Sequence, residues 1–397
     1  MPLDLGSLRS QSIAELIQTA RTCNIENASS LKKQDLVAAI LRETGGATSD
    51  GSGVLEILPD GFGFLRATEY SFHPGSDDVY VSPSQIRRFN LRTGDLVGGQ
   101  VRAPKENERY FALIKVERVN GEPPESAREK VLFENLTSVW PRRRLHLADP
   151  QLRLLSACAP FGFGQRALVV GTPRSGRSTL LQRLATDIAK TRPDVALFVV
   201  LIAERPEEVT EAERTVPGTV LATTFDEPDT RHVQVAEMAI ERAKRLVEHR
   251  RDVVMLFDSL DRFAAAAGGS AGGLEASALL RVRRVFGAAR ECEEGGSFSL
   301  FATADTDGPV AHALRDAATS EIRLDTEIAR RGLWPALDLR ETGTLRADRL
   351  QTTAEVTRAA RVRTAATADA ALALLDASLH DASPDAAALD RAAPSGK

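Results

Sequence analysis

The 397-residue chain predicts a multidomain α+β and α/β protein: a small N-terminal helical module, an OB-type five-stranded β-barrel, then a core built on a parallel sheet. Three observations predict it. The hydrophobic period is helical up to about residue 44 and changes to two at Val54. Five short strands with turn signals between them then follow within about 65 residues, the pattern of a small Greek-key barrel. Beyond residue 150, unbroken apolar strands alternate with helices, as parallel α/β sheets require. Hydrophobic content of 43% and charged content of 27% are those of an ordinary soluble protein. No run of about 18 apolar residues appears, and Met1–Ile25 has no signal-peptide core, so a cytoplasmic protein with no membrane span is expected. Cys23, Cys158 and Cys292 have neither metal nor disulfide spacing and read as reduced structural thiols. With a net charge of −4, a nucleic-acid site must be a local patch.

Residues 1–46 form the helical module. Ser12 caps a helix with Ile13, Leu16, Ile17 and Ala20 on one face. Leu31, Leu36, Ile40 and Leu41 mark another, with Lys32, Lys33 and Gln34 on its polar side. The module suits either weak nucleic-acid contact or plain packing. Residues 47–53, rich in Gly, Ser and Thr, read as a linker.

The barrel spans 54–119, with strands at Val54–Ile57, Gly63–Arg66, Asp78–Val81, Asp95–Val101 and Tyr110–Val116. Aromatic and basic residues are interleaved: Phe62, Phe64, Arg66, Tyr80, Arg109 and Tyr110. Between 85 and 118, eight Lys/Arg stand against four Asp/Glu. Rings beside arginines are the recipe for single-stranded nucleic acid, because bases stack while cations follow the phosphates. Phe62 and Phe64 also fit a barrel core. Alternation along the strand puts them on one face with Arg66, which predicts that this face is wet.

Residues 120–150 are a polar connector, and 151–355 the α/β core. Its first strand runs into Gly171-Thr172-Pro173-Arg174-Ser175-Gly176-Arg177-Ser178-Thr179, with the glycine spacing of a P-loop, G-x-x-x-x-G-K-[ST]. There backbone N–H groups curl around phosphates, a lysine reaches the β- and γ-phosphates, and the hydroxyl ligates Mg²⁺. Ser178 supplies the hydroxyl, whereas Arg177 stands at the lysine position and carries its charge on a planar fork. Val195–Ile202 is a central strand running into Ala203-Glu204-Arg205. Asp252–Ser259 is a second, ending in Asp258 as a Walker B strand does, and that carboxylate is expected to hold the Mg²⁺ with Ser178. Glu204, at a neighbouring strand end, is placed to act as general base on water. ATP and Mg²⁺ are the cofactors this pattern asks for.

Longer runs carry a family resemblance. Val54–Arg66, Val81–Gly94, Glu204–Thr210, Thr224–Pro228 and Arg231–Met238 resemble the bacterial transcription termination factor Rho family, and the likeness extends from residue 1 to about 355. The resemblance implies a homo-hexameric ring with a RecA-like ATPase core, or a mixed ring with an active family member. It implies OB domains that capture C-rich single-stranded RNA, 5′ to 3′ translocation, and work on an RNA polymerase elongation complex. Phe62, Phe64, Arg66, Tyr80, Glu108, Arg109 and Tyr110 match the family's RNA clamp. Glu204 matches its catalytic glutamate, Asp258 its Walker B aspartate and Arg205 its γ-phosphate-contacting arginine. Trp334 takes the place of the aromatic that stacks on adenine.

The departures lie in the motor. Arg174 and Arg177 replace two P-loop lysines, Ala203 replaces an aspartate, and Gly332 an arginine. The arginine finger that should follow Thr344 is Leu345; Arg346 comes one place late and would need a local register change to serve. The first pore loop is shortened to Ala264–Gly273, and the second, Thr306–Ser320, has no lysine. The tail 356–397 is Ala-rich and unlike the family's C-terminal helices. The expected function is therefore a Rho-like RNA-binding ATPase with impaired hydrolysis, or an inactive paralogue that binds RNA or regulates an active ring.

Overall fold

The computed structural model describes residues 5–44, 49–105, 108–270 and 273–364. Most of the Ala-rich tail, from Ala365 onward, and Ala271–Gly272 of the first pore loop lie outside the described residues.

Three helices, α1 (Leu5–Ser10), α2 (Ile13–Thr22) and α3 (Lys33–Thr44), open the chain. Ser12 and Glu15 form the reciprocal cap that starts α2. The barrel follows: β1 (Ser49–Ile57), β2 (Gly63–Arg66), β3 (Val79–Val81), β4 (Leu96–Arg102) and β5 (Phe111–Val119), closed in the order β1-β2-β3-β5-β4. Helices and barrel share one core, with Leu8, Leu16, Leu36 and Ile40 packed into the cluster that holds Leu55, Leu65, Val97 and Phe111. The linker reading of 47–53 needs correction. Strand β1 begins at Ser49, and Ser49–Gly53 pair with Val97–Val101.

The core is a nine-stranded sheet whose main path runs Thr219–Thr224, Ala196–Glu204, Asp252–Asp258, Ser297–Ala304, Arg166–Val170, Ser320–Arg323 and Gly343–Thr344. The first six of these strands pair in parallel and the last antiparallel. One face is covered by the cluster around helix Asp229–Glu248, the other by the cluster around helix Arg177–Thr191. The strand ends at Val170, Glu204 and Asp258 consequently share one edge of the sheet, where open α/β sheets bind ligands. The connector is less loose than its composition suggests. Ser138–Val139 joins this sheet through Arg290–Cys292, and Arg144–Leu145 pairs with Phe161–Gly162. The tail reading from 356 is also corrected for its first residues: helix Thr353–Arg363 packs Val362 into the core, and Arg363 donates to Cys158 O at 2.6 Å.

The barrel is fastened to the core. Arg231 donates to Ser71 O at 2.6 Å, Gln234 to Glu56 Oε1 at 2.7 Å, and Arg242 to Asn120 Oδ1 at 2.6 Å. Gly94 (φ 91°) lies so near helix Asp229–Glu248 that a Cβ there would come within 2.5 Å of the Glu241 backbone.

Candidate functional site

The phosphate-loop segment leaves its strand at Gly171 and enters helix Arg177–Thr191 through Gly176. Arg174 (φ 69°) and Gly176 (φ 93°) take the left-handed conformation, which turns successive N–H groups to one side and makes an anion nest. A Cβ on Gly171 would stand 2.3 Å from Ser175 Oγ, so a larger residue there would displace the Ser175 hydroxyl. Ser175 Oγ and Arg177 Nη1 are buried and have no hydrogen-bond partner among the described residues. Unpaired donors at a helix N-terminus fit a phosphate group. Arg177 also faces Asp261, whose carboxyl is raised by burial against the pull of the guanidinium. Across the loop, Trp334 Nε1 lies 3.8 Å from where a Gly176 Cβ would be.

Ser178 Oγ donates to Asp258 Oδ2 at 2.7 Å, so the pair expected to hold Mg²⁺ is assembled. A hydroxyl and one carboxylate beside a phosphate nest suit Mg²⁺, which takes few protein ligands and several oxygens from substrate phosphates. Among the described residues there is no group of three or more His, Cys, Asp or Glu able to hold a metal without such phosphates. Glu204 and Asp258 are each 5% exposed. Arg262 Nη2 bonds Glu204 Oε2 and lies 3.3 Å from Asp258 Oδ1, while Thr303 Oγ1 donates to that same Oδ1 at 2.7 Å. Glu204 is aimed by an irregularity: the pairing with Thr219–Thr224 shifts register between Leu201 and Glu204, with Ala203 at φ 49°. Sequence reasoning passes over Arg262 and Thr303. Arg262 lies in the first turn of the helix that follows the Asp258 strand end. No local pattern marks Thr303, which reaches Asp258 from the neighbouring strand.

Arg205 precedes helix Pro206–Thr215 without a side-chain cap hydrogen bond and points outward, 74% exposed, with Glu208 at 3.8 Å. Leu345, at the finger position, is 57% exposed. In the observed register Arg346 stays one place late. Thr344 pairs with Ser320, Leu345 N donates to Thr319 O at 2.8 Å, and Arg346 forks onto Asp348 with both contacts at 3.1 Å. The first pore loop is a short hairpin, Gly269–Ser270 against Gly273–Leu274, and the second carries helix Pro309–Leu314.

On the barrel the aromatic residues gather. Phe62 lies 5.8 Å from Phe64 and 5.7 Å from Tyr80, and Phe64 lies 4.8 Å from Tyr110, centroid to centroid. The Arg109 guanidinium stands 5.5 Å from the Tyr110 ring. Glu108 is forked by Arg102, whose hydrogen bonds hold its carboxyl down to about 2. The wet-face expectation is corrected for two members. Phe64 is 8% exposed and Arg66 5%, the latter bonded to Glu56 at 2.7 Å and to Asp78. Phe64 is thus the floor of the cluster and Arg66 its internal brace, while Phe62, Tyr80 and Tyr110 keep accessible ring surface.

The comparisons with known proteins fit this geometry. Residues 7–44 match the family model of the Rho termination factor N-terminal domain, and 51–125 that of the Rho termination factor RNA-binding domain. Residues 152–275 match the nucleotide-binding domain of the ATP synthase alpha/beta family. The chain is 48% identical over 371 residues to the transcription termination factor Rho of Chromobacterium violaceum, covering 88% of this chain and 89% of that one. The chain belongs to the Rho family. Similar figures hold for the factors of Escherichia coli strain K12 (48% over 377 residues, 89% of this chain and 90% of the relative) and Pseudomonas aeruginosa (46% over 379 residues, 90% of each). A solved type III secretion system ATPase shares the core fold, with a TM-score of 0.51 and 22% identity over 57% of this chain and 69% of its own. The α/β core of this Rho-family chain therefore holds a nucleotide-binding domain of the ATP synthase alpha/beta type, and its barrel is an RNA-binding domain.

Proposed function

We propose that this chain is an RNA-capturing ATPase of transcription termination whose hydrolysis is slowed by its own motor residues. The observation that carries the reading is the Ser178–Asp258 contact, with Glu204 beside it, at the mouth of an anion nest. ATP would lie with its phosphates in the nest, and Ser178 and Asp258 would hold Mg²⁺. When bound, that ion offsets the charge that develops on the transferring phosphoryl group. Glu204 is the residue to take the proton of the attacking water, and to do so it must leave Arg262, which holds it here. Arg205 and, across a homo-hexameric interface, Arg346 are the remaining cations for the γ-phosphate.

C-rich single-stranded RNA would be taken by the barrel, its bases stacking on Phe62, Tyr80 and Tyr110 at about 1–3 kcal/mol each. Arg109 lies beside them for a phosphate. Glu108 stays ionised and can accept from a cytosine amino group. An RNA polymerase elongation complex is the setting for that capture.

The Arg346–Asp348 fork and exposed Leu345 favour a second reading: an inactive paralogue that binds C-rich RNA and joins or competes with an active ring. Phosphate release from ATP by the purified protein, with and without poly(C), decides between them. Stimulation by poly(C) supports the ATPase. Tight RNA binding without turnover supports the paralogue. Absence of RNA binding at moderate salt sinks both.

A further inference from the structure

We infer that Arg183 is the outer wall of the base site, so that a purine base bound through the phosphate loop lies between the Trp334 indole and the Arg183 guanidinium. This rests on the nucleotide reading above. It assigns a residue that neither motif nor strand-end position marks.

Trp334 is half-buried, packed against the hydrophobic cluster under helix Arg177–Thr191, with its Nε1 edge against Gly176 at the end of the phosphate loop. Arg183 Cζ stands 5.7 Å from the ring centroid. Arg183 lies one turn after Thr179 on the same face of the helix, about 9 Å beyond Arg177. That offset places it beyond the phosphate-loop nest rather than within it. Its tether is light. Asp149 Oδ2 is 3.6 Å away and the arginine side chain is half exposed, and such pairs contribute little. The guanidinium is therefore free to move outward as a base enters against the indole. A planar guanidinium stacks on a base as it does on an aromatic ring, which an ammonium does not reproduce. The base would then be covered on both faces, by indole within and by guanidinium without.

The test is calorimetric titration of the full chain with ATP and with tripolyphosphate, which has the phosphates and no base. Wild type is compared with Arg183→Ala and Arg183→Lys. The ratio of ATP to tripolyphosphate affinity is expected to fall about two- to five-fold in both variants. The lysine variant should fall with the alanine one, because it keeps the charge and loses the plane. Quenching of Trp334 fluorescence by ATP, read in a Trp140→Phe background, should persist in both, since the indole remains. An unchanged ratio, or one that rises, overturns the role of Arg183 while leaving the phosphate loop intact. If wild type binds neither ATP nor tripolyphosphate, the nucleotide reading falls, and this inference with it.

Discussion

At the scale of single residues, burial separates side chains that alternation along the sequence groups together. Phe62 and Phe64 stand two apart in sequence, but Phe62 precedes β2 and is half-buried whereas Phe64, within it, is buried. Phe62→Ala should weaken poly(C) binding by about 1–3 kcal/mol of stacking without changing the unfolding midpoint. Phe64→Ala should also cost about 3–5 kcal/mol of folding stability, measured by urea unfolding, because it empties the floor of the barrel. Asp78 is another case. Burial raises its carboxyl to about 6, outweighing the Arg66 guanidinium against it. A group protonated more readily in the folded state contributes stability that is full below its ordinary pKa near 3.8 and lost as pH rises through about 6. The urea resistance of wild type relative to Asp78→Asn should therefore fall between pH 4 and pH 6. Ala203 carries a different burden. Its left-handed φ costs a β-carbon residue roughly 1–2 kcal/mol, which aspartate, the residue implied there by the family resemblance, tolerates better.

Among the elements, the N-terminal helices behave as part of the barrel. Arg9 of α1 bonds Asp77 at 2.7 Å and the Ser52 and Asp77 carbonyls at 3.0 and 2.8 Å, with both charged side chains almost wholly buried. Taking one partner from a buried pair strands the other, so Arg9→Ala should cost about 3–5 kcal/mol in urea unfolding. A helical module that were merely tethered would show no such loss. The start of β1 explains why composition misleads. Gly53 is needed because a Cβ there would come 2.9 Å from Arg66 O, and Gly51 because one would come 2.8 Å from a Val101 methyl. Glycines demanded by close strand approach look, in sequence, like those of a flexible linker.

For the whole molecule, capture and hydrolysis separate. The barrel is bolted to the motor through Arg231, Gln234 and Arg242, the last of which burial lowers to about 10. Beside Thr344 stands Leu345, and in the observed register Arg346 pairs with Asp348 at 3.1 Å. Arginine fingers are worth about 10³–10⁵ in rate where measured. Arg177→Lys with Leu345→Arg should raise poly(C)-stimulated phosphate release at least about ten-fold over wild type. No gain would mean that the pore loops, not these two positions, limit turnover.

Much of the site is legible in the chain because it is local. The Gly171–Ser178 spacing, the apolar strands ending in Glu204 and Asp258, and the aromatic run of the barrel follow from backbone geometry within a few residues. Two periods, 2 and 3.6, separated barrel from helices, and the alternation of strand and helix announced a parallel sheet. The tertiary structure alone decided the rest, because it depends on which distant groups share a low-dielectric interior. It buried Arg66 and Arg9 as internal braces and tied Glu204 to Arg262. It brought Thr303 to Asp258 from the next strand, set Arg183 over Trp334, and paired Arg346 with Asp348. Local spacing determines what a segment can become; packing determines which of its charges faces water and which faces a partner.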